Sequence, residues 1–242
     1  MNTFADSVLT ALDLIRGADP QLGQIVGLSL GVSGAASLIA ALIGLGLGAA
    51  LALLSFRGRR LVLALLNTSL ALPPVVVGLV VYLLLSRSGP LGEWGLLFTP
   101  TAMVMAQTVL ILPIVVALTR QALQAPWALH GEQLQSMGAS RPVAALLLLW
   151  DERLALLTVV LAAFGRAVAE VGAVMIVGGN IAGHTRVMTT AIALETSKGD
   201  LPLALALGLV LLGVVLLLNL GIAALRAWQG RGEAAVEGQA HD

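Results

Sequence analysis

The sequence predicts an all-α membrane protein with about five transmembrane helices. Its 242 residues are 58% hydrophobic and only 11% charged, and the mean hydropathy is +0.98. A soluble domain of average composition carries about 25% charged residues, so the bilayer must be the solvent for most of this chain. The 27 glycines supply the small residues through which helices approach one another closely in lipid.

Five stretches are long and apolar enough to be spans, since a span takes about 20 mostly apolar residues. They cover residues 25–56, 61–85, 99–123, 154–177 and 201–227. We therefore expect one transmembrane domain over 24–227.

Two polar segments flank this domain. Phe4, Val8, Leu12 and Ile15 recur at helical spacing within residues 1–23, which favours a short interfacial helix over a frayed tail. The tail over 228–242 is polar and rich in glycine, so we expect it to be disordered.

Cationic residues outside the membrane predict the orientation of the chain. One side would hold Arg57, Arg59, Arg60, Arg120, Arg141, Arg153, Arg226 and Arg231, and the other Arg16, Arg87, Arg186 and Lys198. The first side has more of them and is expected to be cytoplasmic. This places the N-terminus outside, the C-terminus inside and the loop 124–153 in the cytoplasm.

Composition and motifs exclude several function classes. The formal net charge is zero, which gives no electrostatic footprint for nucleic acid. The sequence has no cysteine and no Gly-x-x-x-x-Gly-Lys-Ser/Thr phosphate loop, and His130, His184 and His241 are scattered. We therefore expect no metal, no cofactor and no catalytic site in this chain, and any use of ATP must come from a partner.

The loop 124–153 has the pattern of a helix, a sharp turn and a second helix. Leu129, Gln133, Leu134 and Met137 form one predicted stripe beside Glu132. Gly138 suits a helix C-cap, and Ser140 suits the N-cap of a helix with Pro142 in its first turn. An ordinary connector is the alternative, but connectors are usually shorter and carry no apolar stripe. A docking surface is therefore the favoured interpretation.

A family resemblance supports the docking interpretation. Glu132-Gln-Leu-x-x-x-Gly138 resembles the Glu-Ala-Ala-x-x-x-Gly loop of ABC importer permeases, with Asp151 where that family has a proline. In the family, this short coupling helix sits in a groove of a cytoplasmic ATPase. The resemblance therefore implies ATPase contacts for Leu129, Glu132, Gln133, Leu134, Met137, Gly138, Ala139 and Ser140.

Two further motifs narrow the resemblance to oxyanion permeases. The sequence from Arg166 through Glu170 and Gly172 to Ala173 resembles the Arg-Ala-x-x-Glu-x-Gly-Ala stretch of molybdate, sulfate and tungstate permeases. Leu70-Ala-Leu-Pro-Pro-Val-Val-Val-Gly resembles their Leu-Pro-x-x-x-x-Gly segment, and the tract 168–198 is most similar to the tungstate group. Molybdate and sulfate stay open as alternative substrates.

Membership of this group implies a complete transport machine. We expect the ABC type I importer fold, a homodimer of permeases in the bacterial inner membrane, and transport by alternating access. Two ATP-binding subunits would carry ATP and magnesium, and an extracytoplasmic oxyanion-binding protein would deliver the substrate. A secondary transporter driven by an ion gradient is less favoured, because the sequence shows no evident internal repeat. A membrane scaffold without transport is disfavoured by charged residues inside a span.

Six residues are candidates for the translocation path or gate, namely Pro73, Pro74, Arg166, Glu170, Gly172 and Asn180. Arg166 and Glu170 are four residues apart and share a helix face, where they serve either a gate or a structural ion pair. The two prolines indicate a bend beside the path or a packing kink. Asn180 either lines the outer vestibule or caps the fourth span.

Overall fold

A computed structural model of the chain describes residues 8–9, 12–13, 16–17 and 20–239, with side chains up to residue 224 and at 227. The helices are α1 (Pro20–Leu53), α2 (Arg59–Leu70), α3 (Pro74–Leu85), α4 (Pro100–Ser136), α5 (Arg141–Asp151), α6 (Arg153–Val168), α7 (Gly172–Gly178), α8 (Met188–Lys198) and α9 (Leu201–Gln239), with a 3-10 turn at Gly92–Trp94. The all-α prediction is confirmed.

The predicted spans correspond to these helices. Three candidates are long and apolar enough to cross a membrane alone, namely α1, α4 and the Leu201–Ala224 part of α9. Two bent pairs, α2 with α3 and α6 with α7, reach that length together. Counting each pair as one span gives up to five spans among the described residues, in agreement with the sequence.

Both chain ends differ from the expected boundaries. Helix α1 begins at Pro20, so it includes the last residues of the predicted N-terminal segment 1–23. Most of the predicted interfacial helix lies outside the described ranges. At the other end, α9 continues to Gln239, where the sequence indicated a disordered tail from 228.

Helix α4 also passes beyond its predicted end. The sequence predicted a third span over 99–123, yet α4 continues through Pro113 and Pro126 to Ser136. Leu123 is buried in a cluster with Ala144 and Leu148, and Trp127 packs against the same cluster. This packing on both sides of Pro126 keeps the helix continuous, although a proline removes one backbone donor.

The chain divides into two compact units. The first contains the described residues up to Ile39, Leu72–Ile111 and Phe164–Val215, and the second contains Ala40–Ala71, Leu112–Ala163 and the described residues from Leu216 onward.

In the first unit, α3 and α7 are in backbone contact. A Cβ atom built on Gly78 would lie only 2.7 Å from Cα of Ala173, so the glycine is what allows the close approach. Val77 and Val81 of α3 and Val174 of α7 belong to the same buried core. Such backbone proximity through small residues is typical of helix packing in membranes.

In the second unit, glycines of α1 face α4. A Cβ atom on Gly44 would lie 2.7 Å from Cγ1 of Val115, and one on Gly48 would lie 2.6 Å from Cβ of Thr119. Further along α1, Ala49 and Leu53 join the buried cluster that contains Leu123. The α1–α4 contact therefore becomes a core at the end of α1 that adjoins the predicted cytoplasmic loop.

The contact at Gly78 gives a test of this packing. We expect Gly78→Ala to destabilise the protein by about 1–3 kcal/mol, because the added methyl group meets backbone that cannot rotate away. The matched control is Gly208→Ala in α9, where a Cβ atom meets nothing within 4 Å. The measurement is the thermal unfolding midpoint in detergent. Equal midpoints for the two variants would contradict the packing described here.

Candidate functional site

The turn after α4 has the hydrogen bonds of a Schellman motif. Gly138 has φ +82°, its N–H donates to the carbonyl of Gln135 at 3.0 Å, and the N–H of Ala139 donates to the carbonyl of Leu134 at 3.0 Å. The predicted C-cap at Gly138 is therefore confirmed. Glycine is favoured here because other L-residues pay a steric cost in the left-handed region.

The next helix begins immediately after this turn. Ser140 is at the N-cap position of α5 with extended backbone angles, and Pro142 is in the first turn, as predicted. The Ser140 side chain makes no capping hydrogen bond, so this part of the prediction is wrong. Proline is tolerated in the first turn because its missing N–H would have had no partner within the helix.

The apolar stripe is narrower than predicted. Leu129 and Met137 are 75% and 76% exposed, and Gln133 between them is also exposed. Their spacing of four residues places all three on one helix face. Leu134 is on a different face and packs against the buried cluster of Ala144 and Leu148. Glu132 is exposed beside the stripe. We call Leu129, Glu132, Gln133, Met137 and Gly138 the docking face, after the role that the sequence predicts for it.

Asp151, where the sequence resemblance has a proline, is the last residue of α5. Helix α5 ends at Asp151, and α6 begins two residues later at Arg153. Nη1 of Arg153 donates to the carbonyl of Trp150 at 2.9 Å, and the guanidinium lies 5.2 Å from the Trp150 ring centroid. An arginine thus occupies the carbonyl end of α5, where a positive charge is favourable.

The second candidate site is the break between α6 and α7, where the two helices are bent by 61°. Glu170 lies in this break. Its Oε2 accepts from Nη1 of Arg166 at 2.8 Å, and its Oε1 accepts from the N–H of Ala173 at 3.1 Å. The Glu170 side chain is 4% exposed, whereas that of Arg166 is 40% exposed. The predicted i,i+4 pair is thus formed, and its carboxylate also caps the start of α7.

Two side chains that sequence reasoning missed hold the main chain of this break. Nε2 of Gln107 donates to the carbonyl of Ala167 at 2.9 Å, and Oγ1 of Thr189 donates to the carbonyl of Glu170 at 2.7 Å. An interrupted helix in a membrane requires such partners. Gln107 carries a detectable signal, because it is an amide inside an apolar span. Thr189 has none, because it is one of several threonines in its segment.

Pro73 and Pro74 lie where α2 and α3 form a bent pair, so the bend that the sequence indicated is confirmed. Pro73 is the N-cap of α3 and Pro74 is in its first turn, where a missing N–H costs little. The carbonyl of Pro73 accepts from the N–H groups of Val76 and Val77 at 2.9 and 3.2 Å. The span is therefore interrupted before Pro74, and the new helix starts with the Pro73 carbonyl hydrogen-bonded.

Gly172 brings the start of α3 to the Glu170 break. A Cβ atom on Gly172 would lie 2.8 Å from Cγ2 of Val75 and 3.6 Å from Oε1 of Glu170. The predicted path residues Arg166, Glu170 and Gly172 thus belong to one local assembly within the first unit, and Val75, the neighbour of Pro74, contacts it.

Asn180 is apart from this assembly, beyond the other end of α7. Gly179, with φ +70°, is the residue that ends α7, so the capping interpretation of Asn180 is wrong. Asn180 has φ +52°, and its Nδ2 donates to the carbonyl of Thr190 at 3.3 Å. Its amide therefore connects the turn after α7 to α8. Among the described residues, no group of three His, Asp or Glu side chains could hold a metal ion.

Comparison with known proteins gives the class of this chain. It is 42% identical to a tungstate uptake system permease of Peptoclostridium acidaminophilum over 90% of this chain and 96% of the relative. It is 44% identical to a probable anion ABC transporter permease of Haloferax volcanii over 82% and 88%, respectively. A sulfate transport system permease of Escherichia coli is 32% identical over 73% and 66%. No family model matches the chain.

The apolar helices of the structure and the permeases among its relatives both indicate a membrane transport protein. The chain belongs to the ABC transporter permeases and is a multi-pass membrane protein of the group that includes tungstate uptake permeases.

The positive φ of Gly138 leads to a prediction about the turn. We expect Gly138→Val to destabilise it by about 1–2 kcal/mol, because a β-branched residue is strained in the left-handed region. Gly138→Asn is the matched control, since asparagine tolerates that conformation. Hydrogen exchange of the peptide 133–142 measures the difference. If both variants exchange at the wild-type rate, the Schellman turn does not depend on glycine.

Proposed function

We propose that this chain is the permease subunit of an ATP-driven importer for a tetrahedral oxyanion, with tungstate as the first candidate. Two tungstate uptake permeases are 42% and 45% identical to this chain, which supports that anion. Sulfate is the second candidate, because sulfate transport permeases are related at 31–33% identity. Molybdate also stays a candidate, because the sequence motifs resemble those of molybdate permeases and because molybdate is close to tungstate in size and charge.

The exposed docking face carries this proposal. Leu129 and Met137 are large apolar side chains, each about three-quarters exposed, on a helix that continues beyond a span. Their helix ends in a turn fixed by Gly138. A rigid, apolar helix end of this kind suits insertion into a groove of another protein. The partner in this proposal is a cytoplasmic ATPase, and it supplies ATP and magnesium.

The rest of the machine follows from this assignment. Two copies of the chain form the path in the bacterial inner membrane, with N-termini outside and C-termini inside. Each copy binds one ATPase subunit through its docking face, and an extracytoplasmic binding protein delivers the anion. ATP binding favours one of two membrane conformations because the ATPase contacts differ between them.

Transport in a defined system tests this function. Liposomes are prepared with the permease in the membrane, its ATPase on the inner side and its binding protein outside. They should accumulate tungstate only when ATP is enclosed with the ATPase. Ionophores that collapse proton and sodium gradients should leave uptake unchanged. Uptake by the permease alone, driven by an ion gradient, would refute the proposal in favour of secondary transport.

The docking face gives a sharper test of the partner. Leu129→Asp and Met137→Asp should each weaken ATPase binding by about 10-fold or more, because both place a charge in an apolar contact. Trp94→Asp is the control, because Trp94 is 63% exposed but lies in the loop predicted to be extracytoplasmic. Binding is measured by titrating labelled ATPase onto the purified permease. An equal effect of all three substitutions would show that the docking face is not the ATPase site.

A further inference from the structure

Arg166 lies inside the predicted fourth span, and most N–H donors of its guanidinium have no partner in the described part of the chain. Its side chain is 40% exposed, and its polar partner among the described residues is Glu170, reached through Nη1 alone. A guanidinium has five N–H donors. A charged group at membrane depth faces water, the interior of a bundle or another protein rather than lipid. The remaining donors of Arg166 are therefore available to a polar partner.

Glu170, by contrast, is fixed in place. Its side chain is 4% exposed, Oε1 is bound to the N–H of Ala173, and its carbonyl accepts from Thr189. Gln107 holds the adjacent carbonyl of Ala167. The pair thus consists of an anchored negative charge and a positive charge at the end of a long side chain. Only the positive charge can turn to another partner without disturbing the helix break.

The sequence offers Arg166 few other anionic partners. Glu170 is the only acidic residue within the five predicted spans. Glu195, which is also buried, lies outside them and pairs with Arg186 and Lys198. A second copy of the chain would bring only another Glu170 to membrane depth. A mobile anion is therefore the partner that the open side of Arg166 best fits.

Resting on the proposed function, we infer that Arg166 is a transient ligand of the tetrahedral oxyanion and that Glu170 keeps this binding weak. The planar guanidinium matches an oxyanion with two parallel hydrogen bonds. An unpaired guanidinium away from bulk water would hold a divalent anion strongly. Passage requires a site that binds well enough to admit the ion and weakly enough to release it. Glu170 is a positioning residue that competes for Arg166 and repels the anion.

Glu170→Gln separates this role from that of a static ion pair. The amide oxygen can still accept from the N–H of Ala173, whereas the negative charge is lost. We expect the purified permease–ATPase complex, without binding protein, to retain tungstate at least 10-fold more tightly in equilibrium dialysis. Uptake in the complete liposome system should fall at least 10-fold. A purely structural pair predicts slower uptake with unchanged or weaker retention, and that result would overturn the inference.

Two further substitutions complete the design. Arg166→Lys keeps the positive charge but loses the planar pair of N–H donors, so tungstate retention should fall below that of wild type. This variant remains informative if Glu170→Gln fails to assemble. Glu195→Gln is the matched control, because Glu195 is also buried and ion-paired but lies outside the spans. It should retain tungstate as wild type does. Tighter retention by Glu195→Gln would show that any lost carboxylate raises anion binding, which also overturns the inference.

An accessibility measurement locates the anion directly. The chain has no cysteine, so Ala169→Cys introduces a single thiol at an exposed position three residues from Arg166. A water-soluble thiol reagent should modify it, and tungstate should slow the modification several-fold only while Arg166 is present. Modification without protection would place the anion elsewhere. These outcomes refute only the Arg166 site if wild-type liposomes show ATP-driven uptake, whereas absent uptake refutes the proposed function itself.

Discussion

The absence of water in the bilayer is the constraint on which this structure depends. Any backbone group that a helix does not satisfy must find a partner within the protein. The break between α6 and α7 meets this requirement with side chains from three segments, namely Glu170 of the break itself, Gln107 of α4 and Thr189 of α8. This polar break within a predicted span is consequently held by several side-chain hydrogen bonds.

The docking face satisfies the backbone groups at its helix end in a different way. There the helix ends in the loop predicted to be cytoplasmic, and the turn is closed by backbone bonds that the positive φ of Gly138 makes possible. A turn bonded through its own backbone leaves the neighbouring side chains free for contacts. In the membrane break the reverse holds, because side chains satisfy the backbone. Arg166 keeps unused donors there. The two sites thus differ in which part of the chain is available to a partner.

Much of this arrangement could be predicted from the sequence, because membrane spans are read from length and hydrophobicity alone. The five spans, the positive φ of Gly138 and the pairing of Arg166 with Glu170 all follow from local spacing. The helix through Pro126 could not be predicted in this way, because its continuity depends on Leu123 and Trp127 packing against residues of another segment. The roles of Gln107 and Thr189 were hidden for the same reason, since each acts on a carbonyl distant in sequence.

The continuity of α4 through Pro126 also restricts how this region can change in length. An ordinary surface loop absorbs insertions and deletions with little cost. Between Leu123, which is anchored in the core, and Leu129, which is exposed, the chain is helical throughout. One added residue there would rotate everything beyond it by about 100° around the helix axis. Leu129 and Met137 would then point in a new direction, so the spacing of this segment is as constrained as its composition.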